Sequence, residues 1–136
     1  MVENEMYEAV LDGLFEGVYF VDRDRRITYW NKGAERITGY TKDEVIGLLC
    51  RDGVLCHVDD AGRHLCGDEC LLATTMAEKR SRHDHVFLLH AAGHRVPVRI
   101  ASVPIVAKSG EIVGAAESFF EDAEWRNSVE RVKDLE

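Results

Sequence analysis

The residues best suited to chemistry are cysteines and histidines that lie close together in one stretch of the chain. All four cysteines fall within residues 48–70, and His57 and His64 accompany them. Thiolates and imidazoles are the usual protein ligands of zinc, and four thiolates hold an iron–sulfur cluster. The segment therefore predicts a zinc or iron–sulfur site. Its ligands would be Cys50, Cys56, Cys66 and Cys70, with His57 as a substitute for one of them.

Two other interpretations of these cysteines stay open. Five, nine and three residues separate the successive cysteines, a spacing unlike the tight C-x-x-C pairs of many zinc sites. Free thiols that are partly buried in a reduced protein behave as small apolar side chains. A thiol–disulfide switch is the third interpretation, because disulfides in cytosolic proteins are usually transient and regulatory.

No recognisable catalytic arrangement accompanies the cysteine segment. The chain contains no nucleophile–base pairing, glycine-rich phosphate loop or strand-ended carboxylate pair that can be assembled with any specificity. The net charge of −8 argues against direct binding to a nucleic-acid backbone or to an anionic bilayer. We therefore expect a regulatory domain, with no enzyme activity of its own and no nucleic-acid partner.

Length and composition indicate one ordinary globular domain. The chain has 136 residues, of which 46% are hydrophobic and 31% charged, values typical of a folded domain with a single core. No apolar run approaches the roughly 18 residues that a transmembrane helix needs. The first 22 residues contain no Lys or Arg, whereas a secretory signal begins with a basic region. We expect a cytoplasmic protein without direct membrane insertion.

Hydrophobic periodicity and turn residues predict helices and strands in a definite order. An amphipathic helix is expected over residues 4–15, followed by a hairpin with strands at 17–22 and 27–30. Asn31 is a plausible helix N-cap, and Thr41 with Glu44 forms a capping box that begins another short helix. The stretch 48–70 lacks periodicity and is expected to be a long loop before a helix at 71–78.

The second half of the chain predicts three strands, at residues 85–90, 95–106 and 112–120. The alternation of apolar residues slips between Ala101 and Val103, which predicts a β-bulge there. Two strands near one end and three near the other most simply form one five-stranded antiparallel sheet with short helices on one face, an α+β fold.

Three regions follow from this order. Residues 1–16 form an N-terminal helix, residues 17–122 the sheet domain with its Cys/His-rich loop at 48–70, and residues 123–136 the start of another helix. Trp125, Val129 and Val132 are spaced by four and three residues, which is typical of a coiled-coil seam. A helix this short is marginal alone, so we expect it to pair in a homodimer or to continue into a connector.

Three segments resemble the PAS domain family, the sensory modules of bacterial signalling proteins, over about residues 11–122. The first is the hairpin at 17–22 and 27–31. The second is Ala-Glu-Arg-Ile-Thr-Gly-Tyr at 34–40 with Glu-Val-Ile-Gly at 44–47. The third comprises residues 93–98, Pro104, Ile105 and residues 110–114, which are similar to the family's closing strands.

The resemblance implies a five-stranded sheet and a role in sensing. A PAS domain would sense a small ligand, a metal or a redox state and pass the change through a C-terminal helix to an output domain such as a diguanylate cyclase (GGDEF) or a histidine kinase. The cysteine-rich segment is similar to a variety of PAS domain associated with diguanylate cyclases, and some PAS relatives hold a cluster with four cysteines. A ligand-free dimerisation or docking module, with a structural cysteine loop, is the alternative. Where the family usually ends its last strand in Asp-Ile-Thr, this chain has Asp122-Ala123-Glu124.

Overall fold

The computed structural model describes residues 2–49, 54–65 and 70–122. Within these ranges the chain forms nine helices and strands in the predicted order. They are α1 (Val2–Gly13), β1 (Gly17–Asp22), β2 (Ile27–Trp30), α2 (Lys32–Thr38), α3 (Lys42–Val45), α4 (Leu71–Glu78), β3 (Arg82–Leu89), β4 (Arg95–Val106) and β5 (Ile112–Glu121). The predicted connector at 123–136 and its coiled-coil seam lie outside the described residues.

The five strands join one antiparallel sheet in the order β2-β1-β5-β4-β3, which confirms the predicted α+β fold. The first and last strands along the chain, β1 and β5, are neighbours, so the early hairpin and the three late strands meet at the centre. Backbones approach closely there, since a Cβ added to Gly114 would lie 2.1 Å from the carbonyl oxygen of Val21. Only glycine fits at that position of β5.

A buried asparagine, Asn31, holds the N-terminal half of the fold together. Its Oδ1 accepts from the backbone N–H groups of Val18 and Ala34, at 2.8 Å each. Its Nδ2 donates to the backbone carbonyls of Leu11 and Glu16, at 2.7 and 3.1 Å. The predicted N-cap of α2 is therefore confirmed, and the same side chain also links α2 to β1 and to the chain that follows α1.

Helix α2 ends and helix α3 begins where the sequence indicates, whereas α3 ends at Val45 and leaves Ile46 outside the helix. Gly39 ends α2 in the left-handed region, at φ 79°, where glycine is favoured because it has no Cβ. The capping box that precedes α3 is formed, and the Glu44 carboxylate accepts from the backbone N–H of Thr41 at 2.9 Å. The Thr41 hydroxyl donates to the same carboxylate at 2.9 Å, and the two hydrogen bonds lower the pKa of Glu44.

Residues of the long loop pair with the edge strand β3. Val58 exchanges two backbone hydrogen bonds with Phe87, at 2.8 and 2.9 Å, and the carbonyl of Leu55 accepts from the N–H of Leu89. Val54, Leu55 and Val58 are buried. The described part of the loop, residues 54–65, thus covers one sheet edge and contributes side chains to the core.

Two sequence predictions about the strands are wrong in detail. β3 begins at Arg82 instead of residue 85, because its first residues pair with β4 although their polar side chains gave no strand signal. The predicted bulge between Ala101 and Val103 is absent from β4, which pairs regularly with β5 there and shifts register only between Ile105 and Val106. The apolar pattern slips because Ser102, a polar residue, faces inward and is fully buried.

Helix α1 leaves its apolar side chains exposed. Met6, Tyr7 and Val10 are each more than 60% exposed, and Phe15 beyond the helix is 81% exposed. The described helices include none that is both long and apolar enough to cross a bilayer.

Candidate functional site

A row of polar side chains crosses the inner face of the sheet. Tyr19 of β1 pairs with Glu117 of β5, and Glu117 pairs with Ser102 of β4. Directly paired residues of antiparallel strands project on the same face, and all three are at most 1% exposed. Polar groups of three central strands therefore face the core side by side.

The loop adds a histidine to this row. His57 lies between Leu55 and Val58, the two residues whose backbones are bonded to β3. Its Nε2 lies 3.6 Å from Oε1 of Glu117, longer than a direct hydrogen bond. Neither Nε2 of His57 nor the two carboxylate oxygens of Glu117 has a hydrogen bond of ordinary geometry to the described residues. We refer to these side chains as the His57–Glu117 pair.

Helix α4 contributes a thiol and a hydroxyl to the same interior. Cys70 occupies the N-cap position of α4, is buried, and lies near enough to Glu117 to influence its charge. Five residues further on, the Thr75 hydroxyl shares a 2.5 Å hydrogen bond with the Ser102 hydroxyl. The interior cluster therefore consists of the His57–Glu117 pair surrounded by Tyr19, Cys70, Thr75 and Ser102.

Burial shifts both members of the pair toward their neutral forms. It raises the pKa of Glu117 to about 8 and the charge of Cys70 adds to the rise, whereas the Tyr19 hydroxyl lowers that pKa through a hydrogen bond outside ordinary geometry. Burial also lowers the pKa of His57 to about 4, helped by the positive charge of Arg95. The geometry resembles an ion pair, but the pKa shifts favour a protonated carboxyl beside a neutral imidazole.

The predicted metal ligands are only partly among the described residues. Cys50 and Cys66 lie outside them, whereas Cys56, His57 and Cys70 lie within them. His57 and Cys70 both approach Glu117. Cys56 is half-buried, adopts a left-handed φ of 44°, and its carbonyl accepts from the Arg95 guanidinium. No disulfide joins Cys56 to Cys70.

The four-cysteine site remains a prediction. Within residues 2–49, 54–65 and 70–122, no three His, Cys, Asp or Glu side chains form a group that could hold a metal ion. Cys50 and Cys66, which are two of the four predicted thiolates, lie outside these ranges. The same holds for the thiol–disulfide switch.

Sequence reasoning missed most of the interior cluster. Glu117, Ser102, Thr75 and the inward orientation of Tyr19 were not identified as site residues. A signal existed in β5, where Ala115, Glu117 and Phe119 alternate and all three are buried. Extending the period-two pattern backward from Phe119 places a carboxyl on the core face.

The end of β5 is tied to its neighbours by a charged side chain. The backbone N–H of Asp122 donates to the Pro97 carbonyl at 3.0 Å. The Asp122 carboxylate lies 3.2 Å from Nη2 of Arg99 and 3.5 Å from Nε2 of His85. The last described residue before the predicted connector is thus fixed to β4 and β3, five residues from Glu117.

Comparison with known proteins settles the family. A family model described as "PAS domain" matches residues 16–123, most of the chain and all five strands. This chain belongs to the PAS domain family. The identification confirms the resemblance drawn from residues 17–47 and 93–114.

Solved PAS structures share the fold. The PAS domain of a Colwellia psychrerythraea protein superposes with a TM-score of 0.72 at 23% identity, covering 91% of this chain and 99% of that one. A PAS domain from a two-component sensor histidine kinase gives 0.68 at 14% identity, covering 89% and 97%. VqmA bound to DPO gives 0.69 at 13% identity, covering 91% and 58%. A search of curated proteins found no significant match.

Proposed function

We propose that this PAS domain is the sensory module of a larger bacterial signal-transduction protein, such as a diguanylate cyclase or a histidine kinase, and that it senses through the interior cluster. The chain itself would be regulatory and not catalytic. The observation that carries this proposal is the His57–Glu117 pair, buried between the sheet and the loop without ordinary hydrogen bonds.

Energetics favours a functional reason for that pair. Burying a carboxyl or an imidazole with incomplete hydrogen bonding costs about 1–3 kcal/mol. An apolar side chain at residue 117 would fit the surrounding core, which includes Tyr19, Ala115 and Phe119. Polar groups that break this rule are concentrated at binding and catalytic sites.

The similar proteins are consistent with a sensory role. One is a PAS domain from a two-component sensor histidine kinase, and another, VqmA, is bound to DPO. We propose by analogy that this domain also responds to a small molecule. Metal or redox sensing by the cysteine segment is the second input that we propose, because Cys70 lies near Glu117.

Strand β5 offers a short path from the cluster to an output domain. Glu117 faces the interior cluster, and Asp122 at the end of the same strand is held by Arg99 and Pro97. A ligand can shift the domain between two arrangements only as far as it binds them differently. We propose that the connector at 123–136 carries that shift to the output domain, in a homodimer.

A thermal-shift screen tests the sensory site. Amino acids, amines, carboxylates and nucleosides would be added singly to the wild-type chain, to Glu117→Gln and to the control Glu111→Gln, which changes an exposed carboxylate. We expect at least one compound class to raise the Tm of the wild type and the control, but not that of Glu117→Gln. The absence of any shift dependent on Glu117 across all classes would contradict the sensory site.

The cysteine input needs a separate measurement. Protein purified without air would be analysed for metal content and for visible absorption bands. Stoichiometric zinc supports a zinc site, and visible bands with iron and sulfide support a cluster. Metal-free, colourless protein would exclude both forms of the metal proposal and leave the thiols to a redox or structural role.

The alternative function, a ligand-free docking module, is favoured by the exposed apolar side chains of α1. Met6, Tyr7 and Val10 are each more than 60% exposed, and such a surface is typical of protein association. Sedimentation of the wild type and Val10→Glu distinguishes the cases. Loss of a dimer with Val10→Glu places the interface on α1, and an unchanged dimer argues for the predicted seam at 123–136.

A further inference from the structure

We infer that Trp125 of the predicted connector docks in a groove of its own chain, at the end of the sheet where β1 begins and β5 ends. The inference goes beyond the proposed function, because it holds whether or not the interior cluster binds a ligand. It follows from a cavity with fixed aromatic walls, from the point at which the connector leaves the sheet, and from the charges that line the cavity.

The groove is a cavity of about 450 Å³, and none of the residues that line it belongs to the interior cluster. The chain before β1, the last turn of α2 and the last residues of β5 form its walls. The lining residues are Phe15, Glu16, Arg36, Ile37, Phe120 and Glu121. Binding cavities in proteins measure about 300–1,000 Å³, so a large side chain can enter this one.

Two aromatic walls of the groove are held in place by arginines. The guanidinium carbon of Arg36 lies 4.5 Å from the centre of the Phe15 ring, and the same guanidinium donates to the Phe15 carbonyl. Arg99 lies over the Phe120 ring at 5.6 Å. Phe15 is nevertheless 81% exposed. A fixed aromatic ring with most of its surface uncovered is suited to receive an apolar group.

The connector leaves the sheet beside this groove. Glu121 lines the groove, and the next residue, Asp122, is held by Arg99 and by the Pro97 carbonyl. Trp125 follows three residues later. Three residues span at most about 11 Å when extended and about 4.5 Å in a helix. The groove is therefore within reach of the Trp125 side chain in either case.

Trp125 suits the groove better than the three later apolar residues of the connector, which are smaller and farther along the chain. Tryptophan has the aromatic ring that arginine and other rings contact most favourably. Its indole N–H needs an acceptor when buried, and the carboxylates of Glu16 and Glu121 beside the groove are acceptors. Arg126 adds a positive charge next to Trp125, opposite in sign to these carboxylates.

Docking has a regulatory consequence for the predicted coiled-coil seam. Trp125 is the first of the three seam residues, and one indole cannot lie in the groove and in the seam at the same time. The docked connector therefore opposes pairing through the seam, and a signal that frees Trp125 permits pairing. This consequence, unlike the docking itself, rests on the proposed function.

Tryptophan fluorescence tests the docking, because the chain contains only two tryptophans. Trp30→Phe leaves Trp125 as the single tryptophan, and circular dichroism checks that this variant folds. Burial of one large apolar side chain favours a docked state by roughly tenfold or more. Acrylamide should therefore quench Trp125 several-fold less than it quenches free N-acetyltryptophanamide. The difference between the wild type and Trp125→Phe gives the same quantity if Trp30→Phe unfolds.

A groove variant and a matched control locate the protection of Trp125. Phe15→Ala removes one wall of the groove and leaves the core intact, because Phe15 is exposed. This variant should raise the quenching of Trp125 to that of the free compound. Val113→Ala changes another exposed apolar residue, near the opposite end of β5, and should leave the quenching unchanged.

Several results would overturn the docking. Trp125 could be quenched as readily as the free compound, or its protection could survive Phe15→Ala or fall equally in Val113→Ala. Protection that is lost on dilution to the monomer, followed by sedimentation, would place Trp125 in the groove of a second copy instead. None of these measurements involves Glu117, so the thermal-shift screen tests the sensory site separately.

Discussion

The fold buries two strongly polar positions, Asn31 and Glu117, and treats them in opposite ways. Asn31 makes four side-chain hydrogen bonds that join β1 to α2, to the last turn of α1 and to Glu16. Glu117 is as deeply buried, yet its carboxylate oxygens lack ordinary bonds within the described residues. A satisfied network specifies structure, whereas an unsatisfied one weakens it unless something binds there.

The largest expected effect on stability is at Asn31, whose side chain makes four hydrogen bonds. Asn31→Ala removes all four hydrogen bonds and leaves the N–H groups of Val18 and Ala34 without an acceptor. We expect the free energy of unfolding to fall by at least about 3 kcal/mol, measured by urea denaturation. Asn31→Ser retains a capping oxygen, so its free energy of unfolding should lie between those of the wild type and Asn31→Ala. A loss below about 1 kcal/mol for Asn31→Ala would remove the contrast with Glu117.

Substitution of Glu117 should change the free energy of unfolding in the opposite direction. Glu117→Gln removes a buried ionisable group and keeps its shape, so we expect stabilisation by about 1–2 kcal/mol at pH 8.5. The measurement is the same denaturation, with Glu111→Gln as the neutral control. Destabilisation of Glu117→Gln at that pH would show that the carboxylate is paired in solution and that the comparison is wrong.

The pH dependence should separate the two members of the pair. Glu117 has a pKa of about 8 in the folded protein against an ordinary 4.5, so the stability that it gains by holding a proton is lost as pH rises from 4.5 to 8. His57 has a pKa of about 4 in the folded protein against an ordinary 6.5, so the stability that it gains by staying neutral is lost as pH falls from 6.5 to 4. The two oppose each other between pH 4.5 and 6.5, and above 6.5 only Glu117 acts.

Between pH 6.5 and 8 the unfolding free energy of the wild type should therefore fall, by at most about 1.4 kcal/mol per pH unit. Glu117→Gln should lack this component, and the difference between the two curves isolates it from other titrations. Parallel curves for the two proteins across this interval would contradict the raised pKa of Glu117.

The smallest expected effect on stability is at an exposed ion pair, which sets the baseline for the comparison of Asn31 with Glu117. Arg23 and Glu111 form a 2.9 Å ion pair, but both side chains are at least 60% exposed. Exposed pairs contribute little because water and salt screen them. Arg23→Ala should change stability by less than about 0.5 kcal/mol in chemical denaturation. A larger change would mean that surface charges in this domain cannot serve as neutral controls.

Local sequence signals predicted the role of Asn31 and the strands around it. Asn31 follows an alternating strand and precedes a helix-forming run, so its capping role is visible within a few residues. The bounds of β1, β2, β4 and α4 agree with the prediction for the same reason, since alternation, turn residues and helix-forming runs act over short distances.

The candidate site could not be predicted in this way. His57 and Glu117 are sixty residues apart in the sequence, and the loop carrying His57 is positioned by backbone bonds to β3 that no periodicity encodes. Ser102 and Glu117 are polar residues at inward positions, so they interrupt the pattern on which strand prediction depends. The interruption at Ser102 was interpreted as a bulge, although it marks the cluster.

The way His57 is held has a mechanical consequence for the rim of the sheet. Leu55 and Val58, on either side of it, are the residues bonded to Leu89 and Phe87. A rearrangement of the loop backbone that carries the imidazole away from Glu117 would loosen these bonds, and the amides of Phe87 and Leu89 would then be early to exchange with solvent. An uncovered strand edge is a template for pairing, so movement of His57 and access to the edge of β3 are coupled through the four residues 55–58.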